Sequence, residues 1–154
     1  MEIEKKYLIK DLPRDIDSYP HVSIEQAYLC TDPTLRVRRY GNRYILTYKK
    51  RINDPSKLNV SEEIESELSY EAYEHLFSKA DGTPIRKTRY KIPYGEHVIE
   101  LDIFHGAYEG LYLAEVEFGS VSEGESFVPP AWFGDDVSDD VRYTNAYLTM
   151  HSST

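Results

Sequence analysis

Side chains of like charge recur two residues apart along the chain, and they form acidic sets and basic sets. The acidic sets are Glu2 and Glu4; Glu63, Glu65 and Glu67; Glu100 and Asp102; and Glu115 and Glu117. The basic sets are Arg36 and Arg38, and Lys87 and Arg89, with Lys6 and Lys49 as single lysines. Carboxylate oxygens suit Mg²⁺ or Mn²⁺, and arginine and lysine bind phosphate. These residue types indicate a site for a polyanion and divalent cations.

Alternation of polar and apolar residues with period two, typical of β-strands, places these charges on one face of each strand. Seven segments show the alternation: Glu2–Ile9, Leu35–Tyr40, Arg43–Lys50, Val60–Leu68, Ile85–Pro93, His97–Phe104 and Tyr112–Phe118. Turns or loops are predicted at Asp54-Pro55-Ser56, Asp81-Gly82-Thr83-Pro84, Tyr94-Gly95 and His105-Gly106, and a tight hairpin turn at Gly41-Asn42. The chemistry is therefore predicted to lie on strands.

Helical periodicity is confined to a few places. One helix face is formed by Tyr73, Leu76, Phe77 and Ala80, with Ser69 placed to cap its start. A second helix is predicted from Val141 to Met150, with Ser138 or Asp139 near its cap, and a short helical turn at Pro129-Pro130-Ala131-Trp132-Phe133. The chain is therefore expected to be α+β but mainly β.

Two architectures fit the strands. A half-exposed sheet with its polar face in water explains most such alternation. That face would ordinarily mix charge signs, whereas this chain segregates them. Like charges on neighbouring strands repel each other unless cations or phosphates compensate them. The second architecture is a closed antiparallel barrel of about eight strands, with its charged face inward and its apolar face outward. Its interior can hold a small polyanion and cations that compensate the segregated charges.

Bulk properties narrow the class of protein. The 154 residues fit one domain, taken as residues 1–154, and the net charge of −9 disfavours nucleic acid or an anionic membrane as partner. Cys30 is the only cysteine, so an intrachain disulfide is excluded. The first residues of the chain are charged rather than apolar, which does not fit a signal peptide. No window approaches the ~20 apolar residues of a membrane span. A cytoplasmic location is expected.

Familiar phosphate-binding and hydrolase motifs do not occur in the sequence. There is no G-x-x-x-x-G-K-[ST] loop, no G-x-G-x-x-G after a strand and no G-x-S-x-G elbow. No cysteine and histidine cluster has the spacing of a zinc site. Phosphate recognition would therefore depend on side-chain cations.

The order of the charged motifs resembles the CYTH superfamily, the triphosphate tunnel metalloenzymes. Glu2-Ile3-Glu4-Lys5-Lys6 resembles the E-x-E-x-K motif that opens the family's domain. In family order follow Leu35-Arg36-Val37-Arg38, Leu46-Thr47-Tyr48-Lys49, Glu63-Ile64-Glu65, Lys87-Thr88-Arg89-Tyr90, Glu100-Leu101-Asp102, Glu115-Val116-Glu117 and Arg142-Tyr143-Thr144-Asn145. The resemblance covers nearly the whole chain and is greatest to short bacterial members that hydrolyse inorganic tripolyphosphate.

The resemblance implies an eight-stranded tunnel barrel, usually a homodimer, that binds magnesium or manganese and a triphosphate. By resemblance, one metal is ligated by Glu2, Glu4, Asp102, Glu115 and Glu117, and Glu63 and Glu65 hold a second metal or orient water. The phosphate-binding set is Lys6, Arg36, Arg38, Lys49, Lys87 and Arg89. For Glu67 and Glu100 two interpretations stay open: each is either a residue of the site or a solvated residue. One departure is Ser61, where the family often has a basic residue, and it leaves one phosphate contact or the second metal in doubt.

The expected reaction is hydrolysis of the terminal phosphoanhydride of a triphosphate, most simply tripolyphosphate to pyrophosphate and phosphate. Glu63 or Glu65 is the candidate general base, and Lys49 or Lys87 the candidate proton donor to the leaving group. Three alternatives stay open: a class IV type adenylate cyclase, a thiamine or nucleoside triphosphatase, and a non-catalytic barrel that binds polyphosphate.

Overall fold

The structure, a computed structural model, describes residues 1–52 and 59–151. Its strands are β1 (Glu2–Ile9), β2 (His21–Thr31), β3 (Thr34–Tyr40), β4 (Arg43–Arg51), β5 (Asn59–Glu67), β6 (Asp81–Tyr94), β7 (His97–His105), β8 (Tyr112–Phe118) and β9 (Phe133–Asp136). Its α-helices are α1 (Tyr70–Phe77), α2 (Val121–Glu125) and α3 (Asn145–Met150). The predicted class, mainly β with few helices, is confirmed.

Eight strands close into an antiparallel barrel in the order β5-β4-β3-β2-β6-β7-β8-β1. The first part of β1 closes the barrel by pairing with β5, where Glu2 lies opposite Ser61. The second part pairs on the same side with the extra strand β9, where Ile9 lies opposite Phe133. The eight-stranded barrel predicted from the alternation is therefore confirmed, and β9 is an addition to it.

The outer face of the barrel is apolar and covered. On one side, Ile3 and Val116 lie in a buried cluster with Phe133, against which Trp132 packs. On another side, Tyr73 of α1 packs with Val37. Burying such side chains stabilises the fold by about 25 cal/mol per Å² of apolar surface removed from water. Because residues alternate along each strand, covering the apolar faces turns the charged faces inward.

One barrel strand, β2, is not among the seven predicted segments. Its central residues Ile24, Gln26, Ala27 and Tyr28 are all buried, although successive side chains point to opposite faces. Both faces of the strand are covered, the outer one by α1 and the inner one by the barrel interior. A strand buried on both sides shows no clean polar and apolar alternation, and this strand was missed for that reason.

Three local predictions are wrong. The segment Asp81-Gly82-Thr83-Pro84 is not a turn but the start of β6, because Asp81 pairs with Tyr28 of β2. The segment Pro129-Pro130-Ala131-Trp132-Phe133 is not helical, because Phe133 begins β9 and pairs with β1. The helix predicted from Val141 to Met150 is divided: Val141–Tyr143 forms a 3₁₀ turn, and α3 follows it.

Helix caps explain where the helices begin. Ser69 caps α1 as predicted, its side chain accepting a hydrogen bond from the Ala72 N–H. At the end of the chain, the caps are Asp140 for the 3₁₀ turn and Thr144 for α3, rather than Ser138 or Asp139. The predicted turn at Asp54-Pro55-Ser56 lies outside the described residues. None of the helices in residues 1–52 and 59–151 has the length and the apolar character that a membrane-spanning helix needs.

Gly82 allows β6 to approach α3 closely, and replacing it tests how α3 is held. Its φ is +72°, and a Cβ there would overlap the main-chain oxygen of Thr149. We expect Gly82→Ala to lower the free energy of unfolding by about 1–3 kcal/mol from backbone strain alone, and further because α3 must shift. Thermal denaturation measures the loss. Gly95→Ala is the matched control, since Gly95 has φ +59° and nothing within 4 Å of an added Cβ. Equal losses in both variants would contradict the overlap with α3.

Candidate active site

The inward faces of the barrel strands enclose a cavity of about 970 Å³, which is large enough for a small ligand. Its charged lining includes Glu2, Glu4, Lys6, Arg36, Arg38, Lys49, Glu63, Glu65, Arg89, Glu100, Glu115 and Glu117. These side chains come from seven of the barrel strands, β1 and β3 to β8. The acidic and basic sets that the sequence separates thus meet inside one cavity.

The two arginines of β3 are held by neutral partners. Arg36 donates from Nη2 to Thr47 Oγ1 at 3.3 Å, and Arg38 donates from Nε to Gln26 Oε1 at 2.7 Å. Neither arginine forms an ion pair with a carboxylate of the described residues. Burial lowers the pKa of Arg38 to about 9, and the positive charges of Arg36 and Arg89 act in the same direction. Two uncompensated cations therefore form one wall of the cavity.

Arg89 and Lys87 of β6, by contrast, share a buried carboxylate. Asp102 accepts hydrogen bonds from Arg89 Nε at 2.7 Å and Nη2 at 2.9 Å, and its Oδ2 lies 2.6 Å from Lys87 Nζ. Burial works against the charge of Asp102, but the two cations lower its pKa below the ordinary value. Burial lowers the pKa of Lys87 to about 7, against the opposing effect of Asp102. Asp102 is thus already neutralised by its neighbours.

Lys49 of β4 stands among the carboxylates of β1 and β5. Its Nζ forms an ion pair with Glu2, and it lies 3.7 Å from Glu4 Oε1 and 3.9 Å from Glu63 Oε2. Burial opposes its charge, but Glu4 and Glu2 raise the pKa of Lys49 above its ordinary value. The Lys49 ammonium is therefore the counter-ion of this acidic group in the structure.

Lys49 alone does not neutralise the carboxylates around it. Burial raises the pKa of Glu4 to about 8, and the charge of Glu115 adds to the shift. Burial also raises the pKa of Glu2, Glu63 and Glu117, and neighbouring carboxylates contribute in each case. Glu115 differs, because Lys6 and Arg89 outweigh burial and lower its pKa well below the ordinary value. The carboxylates near Glu4 thus lack sufficient positive charge.

The C-terminal segment, residues 138–151, contacts two of the lysines. Lys6 Nζ donates to the main-chain oxygen of Tyr143 at 3.1 Å, and Lys87 Nζ donates to Asn145 Oδ1 at 3.3 Å. The segment is fastened further by Tyr108, whose hydroxyl donates to Leu148 O at 2.6 Å. Asn145 itself lines the cavity. The end of the chain therefore forms part of the site.

Comparison with known proteins agrees with this barrel and its motif order. The CYTH domain profile matches residues 1–136. The chain belongs to the CYTH domain family. An inorganic triphosphatase of Nitrosomonas europaea is 38% identical over 97% of both chains. An inorganic triphosphatase of Acetivibrio thermocellus is 33% identical over 97% of this chain and 94% of its own length.

A solved structure extends the similarity to three dimensions. The crystal structure of an inorganic triphosphatase superimposes on this CYTH domain with a TM-score of 0.71 and 34% identity. The alignment covers 98% of this chain and 95% of that protein. The expected membership of the family and the tunnel-like barrel are both confirmed.

The structure brings most of the predicted site residues of this CYTH domain into the cavity. Eleven of the thirteen predicted residues line it, and Glu100, which the sequence left open, lines it as well. The two that do not are Lys87 and Asp102, which are 1% exposed and bonded to each other in the wall. Glu67, also left open, is exposed and pairs with Arg43. The roles assigned by resemblance stay predictions.

Sequence reasoning missed two polar side chains that hold cations in place. Gln26 lies on β2, the strand whose alternation is obscured, and Asn145 was recognised only as part of a motif. No signal in the residues around Gln26 distinguishes it from a core position. Ser61, the departure from the family pattern, lines the cavity, and its buried Oγ has no partner among the described residues.

The carboxylates are near one another but not arranged as a finished metal centre. In residues 1–52 and 59–151, no three histidine, cysteine or carboxylate side chains converge as the ligands of one ion. The ammonium of Lys49 lies among Glu2, Glu4 and Glu63 instead. A cation that bound there would compete with Lys49 for these oxygens.

Proposed function

We propose that this CYTH domain is a hydrolase that cleaves inorganic tripolyphosphate to pyrophosphate and phosphate and uses Mg²⁺ or Mn²⁺. One observation carries the proposal: two arginines without a carboxylate partner and a group of carboxylates with raised pKa share one cavity. A phosphate chain supplies the negative charge that Arg36 and Arg38 lack, and divalent cations supply the positive charge that the carboxylates lack. The inorganic triphosphatases among its relatives support the choice of substrate.

The donor set fits a hard divalent cation. Glu2, Glu4 and Glu117 offer only carboxylate oxygens, which Mg²⁺ and Mn²⁺ prefer, and burial together with neighbouring carboxylates raises the pKa of each. The metal set proposed from the family also contains Glu115 of the same wall and Asp102, but Asp102 lies behind that wall and is already neutralised by Lys87 and Arg89. Glu63 and Glu65 would hold a second ion or orient the attacking water. When bound, such ions neutralise phosphoryl charge and lower the pKa of a bound water.

The cations of the cavity are proposed to bind the phosphate chain. Phosphoryl transfer depends on positioning and charge neutralisation more than on covalent catalysis. Arg36 and Arg38 present guanidinium groups that can contact phosphate oxygens in pairs. Lys6 of β1 and Arg89 of β6 also line the cavity and belong to the proposed phosphate-binding set, although both already pair with carboxylates. The same wall would stabilise the pyrophosphate leaving group as its charge develops.

The reaction needs one water, one base and one proton donor. A water molecule attacks the terminal phosphorus, the bond to the bridging oxygen breaks, and pyrophosphate leaves. Glu63 and Glu65 both line the cavity, and one of them is proposed as the base that accepts the proton of the water. Lys49 or Lys87 is proposed as the proton donor to the leaving group: Lys49 lines the cavity, whereas Lys87 lies behind the wall, paired with Asp102, and has a pKa of about 7.

A phosphate-release assay tests the proposal. Purified protein with tripolyphosphate is expected to release phosphate and pyrophosphate in equal amounts with Mg²⁺ or Mn²⁺, and none with EDTA, because the carboxylates need their cations. Folded protein that releases no phosphate with either ion would overturn the hydrolase, and release undiminished by EDTA would overturn the metal. ATP serves as the comparison substrate: cyclic AMP would identify a cyclase instead. Tight tripolyphosphate binding without turnover would identify a binding protein.

A further inference from the structure

Gln26 occupies an unusual position for a glutamine. It lies on β2, opposite Arg38 of β3, and its side chain is fully buried within the barrel. Its Oε1 accepts a hydrogen bond from Arg38 Nε at 2.7 Å. Its Nε2, also buried, has no hydrogen-bond partner in residues 1–52 and 59–151. An apolar residue there would avoid the unpaired Nε2 but would leave Arg38 Nε without its acceptor, so the glutamine is explained by Arg38 rather than by packing.

The hydrogen bond from Arg38 determines which way the guanidinium faces. A guanidinium carries five N–H groups in a rigid plane, one on Nε and four on the two terminal nitrogens. Gln26 takes the Nε position, and among the described residues no hydrogen bond uses the terminal nitrogens of Arg38. Because Arg38 lines the cavity, the fork that matches two phosphate oxygens is left available to a ligand.

The acceptor is neutral, and its neutrality matters. Arg89 is held on the same Nε atom by the carboxylate of Asp102, which cancels much of its charge. Gln26 provides the same fixation with an amide oxygen, and Arg38 keeps its full positive charge. A glutamate at this position would form an ion pair with Arg38 and repel an incoming phosphate.

We propose that Gln26 is a positioning residue for phosphate binding, which fixes the Arg38 guanidinium towards the cavity without neutralising it. The inference rests on the proposed triphosphate hydrolysis and adds to it an uncharged residue outside the charged motifs of this chain. A neutral amide acceptor necessarily carries an amide nitrogen as well, and in Gln26 that nitrogen, Nε2, stays unpaired among the described residues. Gln26 acts only through Arg38, and this dependence makes the proposal testable.

The test is a double-mutant cycle with tripolyphosphate as the substrate. Gln26→Met is expected to raise KM about tenfold, the equivalent of one hydrogen bond to a charged group, with a smaller change in kcat. Gln26→Glu is expected to raise KM further, since it retains an acceptor but adds a negative charge. In the Arg38→Gln background, Gln26→Met is expected to change KM little, because its only route of action is already lost.

A control variant and a stability measurement separate positioning from stability. Glu25→Met changes the neighbouring residue of β2, which accepts a hydrogen bond from the Tyr73 hydroxyl at 3.0 Å on the outer side, so it is expected to lower Tm but leave KM unchanged. Gln26→Met removes the unpaired Nε2 but also leaves Arg38 Nε without its acceptor, so only a small change in Tm is expected. If KM simply follows Tm across the variants, Gln26 is a structural residue and the proposal is wrong.

Two further outcomes would also overturn the positioning role of Gln26. An additive effect of Gln26→Met in the Arg38→Gln background would overturn the proposal, because Gln26 would then act independently of Arg38. If the wild-type protein fails to hydrolyse tripolyphosphate, the proposed reaction is wrong, and the same cycle is read from metal-free tripolyphosphate binding by calorimetry. Binding that is equal in the wild-type protein and in Gln26→Met would then overturn the positioning role separately.

Discussion

Glu4→Gln is expected to abolish most triphosphate hydrolysis while making the metal-free protein more stable at neutral pH. Burial and Glu115 raise the pKa of Glu4 to about 8, so at neutral pH the chain must bind a proton there on folding, which an amide does not need. The same substitution removes a proposed metal ligand. A loss of at least about 10²-fold in kcat is expected, the scale of removing one group that stabilises developing charge. Phosphate release gives the first effect, and thermal denaturation in EDTA gives the second.

The stability gain should depend on pH in a defined direction. The pKa of Glu4 is about 8 in the folded protein, above its ordinary value of 4.5. Between these values the folded state holds a proton that the unfolded state has lost, so wild-type stability falls as pH rises through the window. The advantage of Glu4→Gln is therefore expected to be small below pH 4.5 and to grow until about pH 8.

Glu62→Gln is the matched control for this prediction. Glu62 is an exposed residue of β5, next in the chain to the cavity residue Glu63. The control is expected to retain wild-type turnover and the wild-type pH dependence of stability. Wild-type turnover in Glu4→Gln would exclude Glu4 as an essential ligand, and a stability gap that does not change with pH would contradict its raised pKa.

The sequence predicts the barrel well because the interior of this protein is charged. In an ordinary barrel core, both the inward residues and much of the outward face are apolar, and alternation is weak. Here Arg36 and Arg38 alternate with Leu35 and Val37, so the sequence predicts both the strand and its inward face. β2 is the counterexample: Gln26 and Ala27 are buried on opposite faces, and the pattern disappears.

The pairing of charges could not be predicted in the same way. Alternation shows that Lys87 and Asp102 face inward, but only the register of β6 against β7 shows that they meet. The segment that carries Asn145 reaches Lys87 from 58 residues away in the sequence. Contacts of this kind depend on how the barrel closes and where the end of the chain docks, which local residue patterns do not encode.

Arg36→Met, like Glu4→Gln, is expected to make the ligand-free protein more stable and less active. Arg36 is 8% exposed, its Nε has no partner among the described residues, and no carboxylate of those residues pairs with it. A buried charge without a counter-ion destabilises a fold, so methionine is expected to raise Tm in the absence of ligand. A charge-assisted contact contributes up to about 3 kcal/mol, so kcat/KM for tripolyphosphate is expected to fall by up to about 10²-fold.

Arg39→Met separates the position of the charge from its loss. Arg39 follows on the same strand but faces outward, where it donates from Nη1 to Gly41 O at 3.2 Å. Both variants remove one positive charge from the protein, so a general electrostatic effect would weaken tripolyphosphate binding in both. We expect weaker binding only in Arg36→Met, together with a smaller rise in Tm on adding tripolyphosphate than in the wild type. If the two variants behave alike, the net charge of the protein governs binding, and the uncompensated arginines of the cavity do not.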